Sequence, residues 1–230
     1  MSVPLDFDQL YQGNPAVRRD GFVPWDIGEP QPLLVEVEAA GEVRGEVLDA
    51  GCGLADNTLF LAERGYRVTG IDAAPTAIER ARTKAGDRGL TAEFAVADAT
   101  RLDGFTARFD TVIDSALYHC LDDEQQHAYA AALHRACRPG ATLHLFCRSD
   151  LLGDLPGPRA LGEDNVCATF GDGWRRTRLR RRSYTTAFSR QMLIRAAAEA
   201  GTRVDAERLP LDDRGRYLMP VWQLTAIREP

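Results

Sequence analysis

The sequence has little of what a nucleic-acid-binding or membrane protein needs. Lys84 is the only lysine, and 34 acidic residues outnumber 28 basic ones, which leaves a formal net charge of −6. Because phosphate contacts require a positive surface, this balance argues against nucleic acid as a partner. No apolar run approaches the roughly 20 residues of a membrane span, and the acidic start MSVPLDFDQLYQ lacks the apolar run of a secretory signal. We therefore expect neither nucleic acid nor a membrane as a partner.

The sequence also lacks an ordered cysteine or histidine pattern. Its five cysteines are odd in number and widely spaced, and no C-x-x-C occurs, so we interpret them as reduced thiols. His127 and His134 are seven residues apart on one predicted helix and His144 is on the following strand, which does not define a metal site. These observations predict a cytoplasmic protein that holds no metal.

Strand and helix patterns alternate through the middle of the chain. Segments such as GEVLDA (45–50) and YRVTGID (66–72) are each followed by a helical pattern, which predicts an α/β fold with a doubly wound parallel sheet. After residue 148 the order changes to a loop-rich insert, a strand, a helix and a final strand. We predict a single domain made of an N-terminal helical cap (1–40), a core (45–148), an insert (149–170) and a C-terminal hairpin and helix (171–230).

A glycine turn marks the predicted ligand site. In EVLDAGCGLADN (46–57), a strand runs into Gly51 and Gly53 just before a helix, which is a common place to bind a nucleotide. The dinucleotide fingerprint G-x-G-x-x-G requires a third glycine, but Asp56 occupies that position. Since an acid there would repel a pyrophosphate, a nucleoside ligand without phosphates fits the turn better.

Three further acids indicate which ligand this is. Asp72 ends the second strand at a distance from Gly51 that suits hydrogen bonds to two ribose hydroxyls. Asp98 ends the third strand, where its carboxylate can accept from an adenine amino group while the Ala99 amide meets a ring nitrogen. Asp49 precedes the glycines and favours a cationic ligand. Together these acids favour S-adenosylmethionine (SAM), which carries a sulfonium and an ammonium group, over NAD.

These residues lie within motifs of a known family. VLDAGCG, GID, VADAT and FDTVIDSALYHCL resemble the successive motifs of the class I SAM-dependent methyltransferases. The resemblance implies a seven-stranded sheet with an antiparallel last strand, SAM as the methyl donor and S-adenosylhomocysteine as its product. The predicted cofactor site then comprises Trp25, Asp49, Gly51, Cys52, Gly53, Asp72, Ala73, Asp98, Ala99 and Ser115.

A second segment narrows the resemblance to one branch. VPWDIGEPQP (23–32) is similar to the N-terminal segment of the thiopurine, halide and thiol methyltransferases, which implies that Trp25 lies over SAM. Tyr11 and Gln31 are further candidates from the same cap, and Trp25 can also pin the N-terminal arm to the core. The whole chain most resembles the actinobacterial heterocyclic toxin methyltransferases, which O-methylate N-hydroxylated heteroaromatic rings.

The resemblance implies methyl transfer to an N-hydroxy or phenolic hydroxyl of a small planar heteroaromatic compound, with a detoxifying role. Such a hydroxyl is partly ionised near neutral pH, so little general-base help is needed. Tyr118 is the candidate to orient the substrate oxygen and His119 to act as base, although His119 can also be a loop histidine bonded to backbone. The predicted substrate contacts are Phe22, Leu117, Tyr118, Leu151 and Phe170. The expected oligomeric state is a monomer or weak dimer.

Three alternatives stay open. A thiol or halide methyltransferase would use the same fold with a tighter pocket. An RNA methyltransferase is supported only by WRRTRLRRR (174–182), which holds six arginines. We favour a solvated edge strand for this segment, whose charges protect the sheet from pairing, and a third use is to steer an anionic substrate. A non-catalytic nucleotide-binding module is the last alternative.

Overall fold

A computed structural model describes residues 6–14, 22–152, 159–199, 201–202, 205 and 207–230. The helices are α1 (Phe7–Tyr11), α2 (Pro32–Ala39), α3 (Asp56–Glu63), α4 (Pro75–Asp87), α5 (Asp123–Ala136), α6 (Glu163–Thr169) and α7 (Arg190–Glu199). The strands are β1 (Glu46–Ala50), β2 (Arg67–Asp72), β3 (Glu93–Val96), β4 (Phe109–Ser115), β5 (Cys137–Arg148), β6 (Trp174–Ser189) and β7 (Arg216–Arg228). Short 3-10 turns cover Tyr118–Cys120 and Asp150–Leu152.

The seven strands form one sheet in the order β3-β2-β1-β4-β5-β7-β6. Strands β1 to β5 are parallel, and β7 inserts between β5 and β6 antiparallel to both. The predicted doubly wound sheet with an antiparallel last strand is therefore confirmed. The chain order reverses between β1 and β4, and in sheets of this kind ligands bind beyond the carboxyl ends of the strands at that point.

Strand alternation divides the core between the two faces of the sheet. Along β1, Leu48 packs with α5 residues such as Tyr129 and Leu133, whereas Val47 packs with Leu34 of α2 on the other face. Because successive strand side chains point to opposite faces, a continuous apolar run is required where both faces are covered. The buried interior of β1 and β4 follows from this requirement.

The N-terminal helix docks onto the start of α4. Helix α4 begins with Pro75, and its N-cap residue Ala74 makes no side-chain cap. Instead Asp8 Oδ1 of α1 accepts a hydrogen bond from the Thr76 amide at 2.8 Å, and Arg80 donates to the Tyr11 carbonyl at 3.1 Å. A carboxylate at a helix N-terminus satisfies an otherwise free amide and interacts favourably with the helix dipole.

The arginine-rich segment forms the edge strand β6, which confirms the structural interpretation of that segment. Arg178 donates to both carboxylate oxygens of Glu42 at 2.9 and 2.8 Å, and Arg182 to both of Glu36 at 2.8 and 2.6 Å. These two arginines therefore tie the edge to the α2 region. Within the described part of the chain, no helix is long and apolar enough to cross a bilayer.

We predict that Asp8→Ala lowers the free energy of unfolding by about 1 kcal/mol, the usual cost of losing a helix cap. Urea denaturation would measure this change, and hydrogen exchange at the Thr76 amide should become faster. The matched control is Asp213→Ala, which removes an exposed carboxylate before β7 and should change stability by less than about 0.5 kcal/mol. Equal losses in the two variants would contradict the capping role of Asp8.

Candidate functional site

A cleft of about 420 Å³ opens at the carboxyl end of the sheet, beside the switch point. Its walls come from the N-terminal segment, the glycine turn after β1, the start of α3, the end of β4 and the second half of β6. It brings together five of the predicted cofactor residues, namely Trp25, Gly51, Cys52, Gly53 and Ser115. Asp72 is the last residue of the neighbouring strand β2, and Asp98 follows β3.

The glycine turn needs glycine for both conformation and space. Gly51 and Gly53 have φ values of 72° and 51°, in the left-handed region that disfavours other residues. A Cβ at Gly51 would lie 2.9 Å from Leu117 Cβ, and one at Gly53 would lie 2.8 Å from the Tyr11 hydroxyl. The turn is thus in close contact with the loop after β4 on one side and with the N-terminal cap on the other.

Asp56, which replaces the third fingerprint glycine, is paired with the only lysine of the chain. Lys84 Nζ lies 2.6 Å from Asp56 Oδ1 and also donates to the Leu54 carbonyl at 3.3 Å. This ion pair joins the start of α3 to α4. The acid that argued against a dinucleotide therefore also has a structural role.

Asp72 and Asp98 organise the loops after their strands. The Asp72 carboxylate accepts from the Gly53 amide at 3.0 Å and from the Ala74 amide at 2.9 Å, which connects the glycine turn to α4. Asp98 Oδ1 accepts from the amide and the hydroxyl of Thr100, at 2.9 and 2.6 Å. Of the small residues that follow these acids, Ala73 is exposed and Ala99 is half-buried. Ribose and adenine contacts by these residues stay predictions.

Two buried acceptors flank the first turn of α3. Asp49 Oδ2 accepts from Thr58 at 2.5 Å, while its Oδ1 has no hydrogen-bond partner among the described residues. The side-chain amide nitrogen of Gln31 donates to the Thr185 carbonyl at 3.0 Å, while its Oε1 accepts no hydrogen bond from a described residue. The Gln31 backbone amide also donates to Asn57, the neighbour of Thr58. Unpartnered buried acceptors are costly, and an ammonium group would satisfy them.

Burial raises the pKa of Asp49 to about 6, and the nearby Asp72 charge adds to this rise. A cation bound beside Asp49 would favour its ionised form and lower this pKa again. The residues around the glycine turn therefore fit the cationic amino-acid part of SAM, with Asp49 and Gln31 as acceptors.

Trp25 both lines the cleft and holds the N-terminal segment in place. Its indole nitrogen donates to the Tyr11 hydroxyl at 3.0 Å, and its ring lies 5.7 Å from that of Phe7, so it anchors the N-terminal segment. The same side chain lines the cleft. Whether it covers SAM stays a prediction.

Tyr184 is a cleft residue that sequence reasoning missed. Its hydroxyl lies 3.0 Å from Ser115 Oγ, although 69 residues separate them in the sequence. Ser115 ends β4 and Tyr184 comes from the edge strand β6, whose place in the sheet could not be deduced from local patterns. The only signal was the shift of β6 from arginines to the less charged YTTAF.

The structure corrects the roles predicted for Tyr118 and Phe170. Tyr118 is 0 % exposed, and its hydroxyl hydrogen-bonds with Thr169 Oγ1 at 2.7 Å and Asn165 Oδ1 at 3.0 Å. Its ring packs 5.5 Å from that of Phe170, which is also fully buried and contacts Trp174. Both side chains therefore belong to the core that holds α6, because α6 supplies the partners of the Tyr118 hydroxyl.

The structure also corrects the role of His119 as a base. His119 is buried, and its Nδ1 accepts from the Arg148 backbone amide at 3.1 Å. Burial lowers its pKa to about 3, and the charge of Arg148 acts in the same direction. The ring is therefore neutral and weakly basic near pH 7, as expected of a loop histidine bonded to backbone.

The other predicted substrate contacts are more accessible. Leu151 is 44 % exposed, Leu117 is half-buried, and Phe22 is half-buried with its ring 5.2 Å from that of Phe188. All five cysteines are free thiols. Burial raises the pKa of Cys120 to about 12, which makes it a poor nucleophile. In the described ranges, no group of three or more His, Cys, Asp or Glu residues is arranged to hold a metal.

Comparison with known proteins defines the family. Residues 47–140 match the methyltransferase domain model. The chain is 39% identical over 171 residues to a 2-heptyl-1-hydroxyquinolin-4(1H)-one methyltransferase of Mycobacteroides abscessus, covering 73% of this chain and 75% of the relative. It is 28% identical over 129 residues to thiocyanate methyltransferase 1 of Brassica oleracea, covering 54% of this chain and 56% of the relative.

A solved structure shows the same similarity over nearly the whole chain. It comes from work on the conversion of a disulfide bond into a thioacetal group during echinomycin biosynthesis. It is 37% identical with a TM-score of 0.78, covering 97% of this chain and 91% of that one. The chain therefore belongs to the class I SAM-dependent methyltransferases, and SAM is its methyl donor. The similarity to a thiocyanate methyltransferase fits the thiopurine, halide and thiol methyltransferase branch that the motifs predicted.

We predict that SAM binds more weakly as the pH falls below about 6, the pKa of Asp49. The bound cation favours the carboxylate, so protonation competes with binding and each further pH unit costs up to about tenfold in affinity. Calorimetric titration between pH 5 and 8 would measure the effect. Asp49→Asn should bind SAM more weakly at pH 7.5 and lose this dependence, whereas Asp103→Asn, at an exposed site, should keep it. A wild-type pH profile in Asp49→Asn would contradict the assignment.

We also predict that Tyr118→Phe destabilises the fold without impairing methyl transfer. Removal of the hydroxyl leaves Thr169 and Asn165 without that partner. This should lower the free energy of unfolding, measured by urea denaturation, by about 1–2 kcal/mol. Turnover should stay within about twofold of the wild type, since a core residue does not touch the reacting atoms. The control is Tyr66→Phe, whose hydroxyl makes only a 3.4 Å contact with Glu38. A hundredfold loss of turnover in Tyr118→Phe alone would restore a catalytic role for it.

Proposed function

We propose that this methyltransferase acts on an N-hydroxy or phenolic hydroxyl of a small planar heteroaromatic compound. The observation that carries the proposal is the 39% identity, over 73% of the chain, with an enzyme named for a hydroxyquinolone substrate. The half-buried aromatic pair Phe22 and Phe188, close to the end of β6, suits a flat ring. We propose that methylation of such heterocycles serves detoxification. The five free thiols support a reducing, cytosolic location.

The chemistry of the site favours a substrate that arrives already ionised. When bound, SAM supplies a methyl group on a positively charged sulfur; the C–S bond breaks as the new C–O bond forms, and its electron pair stays on sulfur. His119 has a pKa of about 3 and Cys120 one of about 12, so neither is suited to remove a proton near pH 7. The proton of an acidic hydroxyl would instead be lost to solvent before transfer.

We assign each part of the chain a task in this reaction. Residues 1–40 cap the cofactor, with Trp25 and Tyr11 in contact above the glycine turn. Residues 45–148 bind SAM, the insert at 149–170 lies on the substrate side, and residues 171–230 complete the sheet and contribute Tyr184. Closure of the cap would exclude water from the donor and acceptor. We further propose that a monomer or weak dimer is active.

S-methylation of thiols or methylation of halides is the second candidate. Two observations favour it: one relative is a thiocyanate methyltransferase, and the solved structure with a TM-score of 0.78 concerns chemistry at a disulfide. Halides and thiocyanate are anions, and thiols form anions readily. The same cofactor site would therefore serve these acceptors.

The test is methyl transfer from labelled SAM to two acceptor sets. One set holds hydroxylated planar heterocycles such as N-hydroxyquinolones, and the other holds small thiols, thiocyanate and iodide. We expect a kcat/KM at least about a hundredfold higher for the first set. The control is the same assay with Asp72→Ala, which should reduce transfer to every acceptor because it weakens SAM binding. Activity confined to the second set would replace the proposal by the S-methylation candidate.

A further inference from the structure

The hydroxyl groups of Ser115 and Tyr184 form a pair in the cleft that the reaction described so far does not use. Both residues line the cleft; Ser115 is half-buried, whereas Tyr184 is only 2 % exposed. The two hydroxyl oxygens lie 3.0 Å apart, so one hydroxyl donates a hydrogen bond to the other. We refer to these two residues as the hydroxyl pair.

The ring of Tyr184 lies against the face of the sheet that carries Ser115. It packs in one cluster with Ile113 of β4 and Phe146 of β5, although Tyr184 itself belongs to the edge strand β6. Ser115 is two residues after Ile113 on β4, so its side chain points to the same face. The contact between the two hydroxyls therefore has support from the packing of the ring as well as from the distance.

The N-terminal segment holds this part of β6 in place from the other side. The Thr185 carbonyl accepts a hydrogen bond from the Gln31 side-chain amide at 3.0 Å, and the Ala187 amide donates to the Pro24 carbonyl at 2.8 Å. Backbone contacts on both sides of the segment and the buried ring leave the Tyr184 side chain one position. Its hydroxyl is thus fixed within the cleft.

The hydroxyl pair has one more proton than it has acceptors. A tyrosine and a serine hydroxyl each carry one donor proton, and the bond between them uses one of the two. Neither hydroxyl makes another hydrogen bond with a residue that the structure describes. Because burial raises the pKa of Tyr184, and the charges of Asp114 and Asp49 add to this rise, its hydroxyl keeps its proton near pH 7. The pair therefore offers one donor to a ligand in the cleft.

The order of the strands places this donor on the acceptor side of the cleft. Asp72 ends β2 and Asp98 follows β3, so the predicted adenosine contacts lie on one side of β1. Ser115 ends β4 on the other side of β1, and with a strand spacing of about 4.8 Å, β4 lies about 10 Å from β2. Leu117, a predicted substrate contact, follows in the loop after β4. The predicted cofactor contacts at β1 to β3 thus leave the β4 side for the acceptor.

A neutral hydroxyl donor distinguishes oxygen acceptors from sulfur acceptors. A phenolic hydroxyl, with an ordinary pKa of about 10, is a better donor than an aliphatic one, which favours donation from Ser115 to Tyr184 and from Tyr184 to the ligand. A hydrogen bond to an anionic oxygen is roughly twice as strong as a neutral one, whereas sulfur is a weak acceptor. An oxygen that accepts one such bond keeps further lone pairs to attack the methyl group.

We propose that the hydroxyl pair binds the anionic oxygen of the acceptor, with Ser115 donating to Tyr184 and Tyr184 donating to the oxygen, and so selects oxygen over sulfur acceptors. This inference rests on the proposed function and names the residue that determines its specificity. No bond of the hydroxyl pair is made or broken during transfer, so neither hydroxyl gains or loses a proton. The pair positions the oxygen and stabilises its charge.

A matched pair of acceptors tests the inference: a hydroxyquinoline and the mercaptoquinoline with the same ring. We expect Tyr184→Phe, which keeps the packed ring, to lower kcat/KM for the hydroxyquinoline about tenfold or more, mainly through KM. The mercaptoquinoline should lose less than about threefold, because sulfur gains little from the donor. The KM for SAM should stay within about twofold of the wild type. Tyr66→Phe, which removes a hydroxyl outside the cleft, should keep the wild-type ratio between the two acceptors.

The pKa of the bound acceptor gives a second measurement that does not depend on turnover. The absorbance of the hydroxyquinoline is titrated with pH in the presence of S-adenosylhomocysteine. A hydrogen bond to the ionised oxygen favours the ionised form, so the bound hydroxyl should have a pKa about one pH unit higher in Tyr184→Phe than in the wild type. Tyr66→Phe should leave it unchanged. A purely structural role of Tyr184 would alter affinity without altering this pKa.

The outcomes separate the inference from the proposed function. Equal losses for both acceptors in Tyr184→Phe, or an unchanged ratio and an unchanged pKa of the bound hydroxyl, would overturn the inference even if the wild type methylates heterocycles. If Tyr184→Phe fails to fold, as judged by circular dichroism, Ser115→Ala decides: loss of the donor to Tyr184 should lower the oxygen-to-sulfur ratio about threefold, and an unchanged ratio would overturn the inference. Failure of the proposed function would appear in the wild type alone, as absence of transfer to the hydroxyquinoline.

Discussion

The pairing of β1 with β4 at the centre of the sheet is the constraint on which the site depends. Ala50 pairs with Asp114 at the point where the chain order reverses, so the loops that follow the two strands diverge to opposite faces. The first residues of the two loops remain in close contact, because a Cβ on Gly51 would lie 2.9 Å from Leu117 Cβ. The cleft opens between these loops, and its floor cannot shift unless both central strands shift.

That junction also places two carboxyl groups in the buried part of the site. Asp49 of β1 and Asp114 of β4 are fully buried on adjacent strands, and burial raises their pKa values to about 6 and about 7. Asp114 Oδ1 accepts from the Leu117 and Tyr118 amides and so shapes the loop after β4. Asp49 has one oxygen to offer to a ligand. Two buried carboxylates at one strand edge are costly unless a cation is bound nearby, and this is what a sulfonium donor brings.

The proposed chemistry brings a cationic donor to the buried oxygens beside the glycine turn. Carboxylate and amide oxygens of Asp49 and Gln31 lie unpartnered beside the glycine turn. A cationic donor would therefore be attracted both to these oxygens and to an anionic acceptor, and donor and acceptor neutralise each other as the methyl group moves. Hydrophobic surroundings strengthen both attractions. No proton-transfer residue is needed in such an arrangement.

Strand alternation, the glycine turn and the acids at strand ends were predictable because each depends on residues close together in the sequence. The sheet class, the cofactor class and the positions of Gly51, Gly53 and Asp72 follow from such local patterns. The roles of Tyr118 and His119 were not predictable, because a tyrosine or histidine after β4 has the same local pattern whether it faces a ligand or the core. Packing against α6, about fifty residues away, turned Tyr118 inward. Likewise Tyr184 reaches Ser115 because of the order of β5, β7 and β6 in the sheet, and strand order is decided by long-range pairing that no short segment encodes.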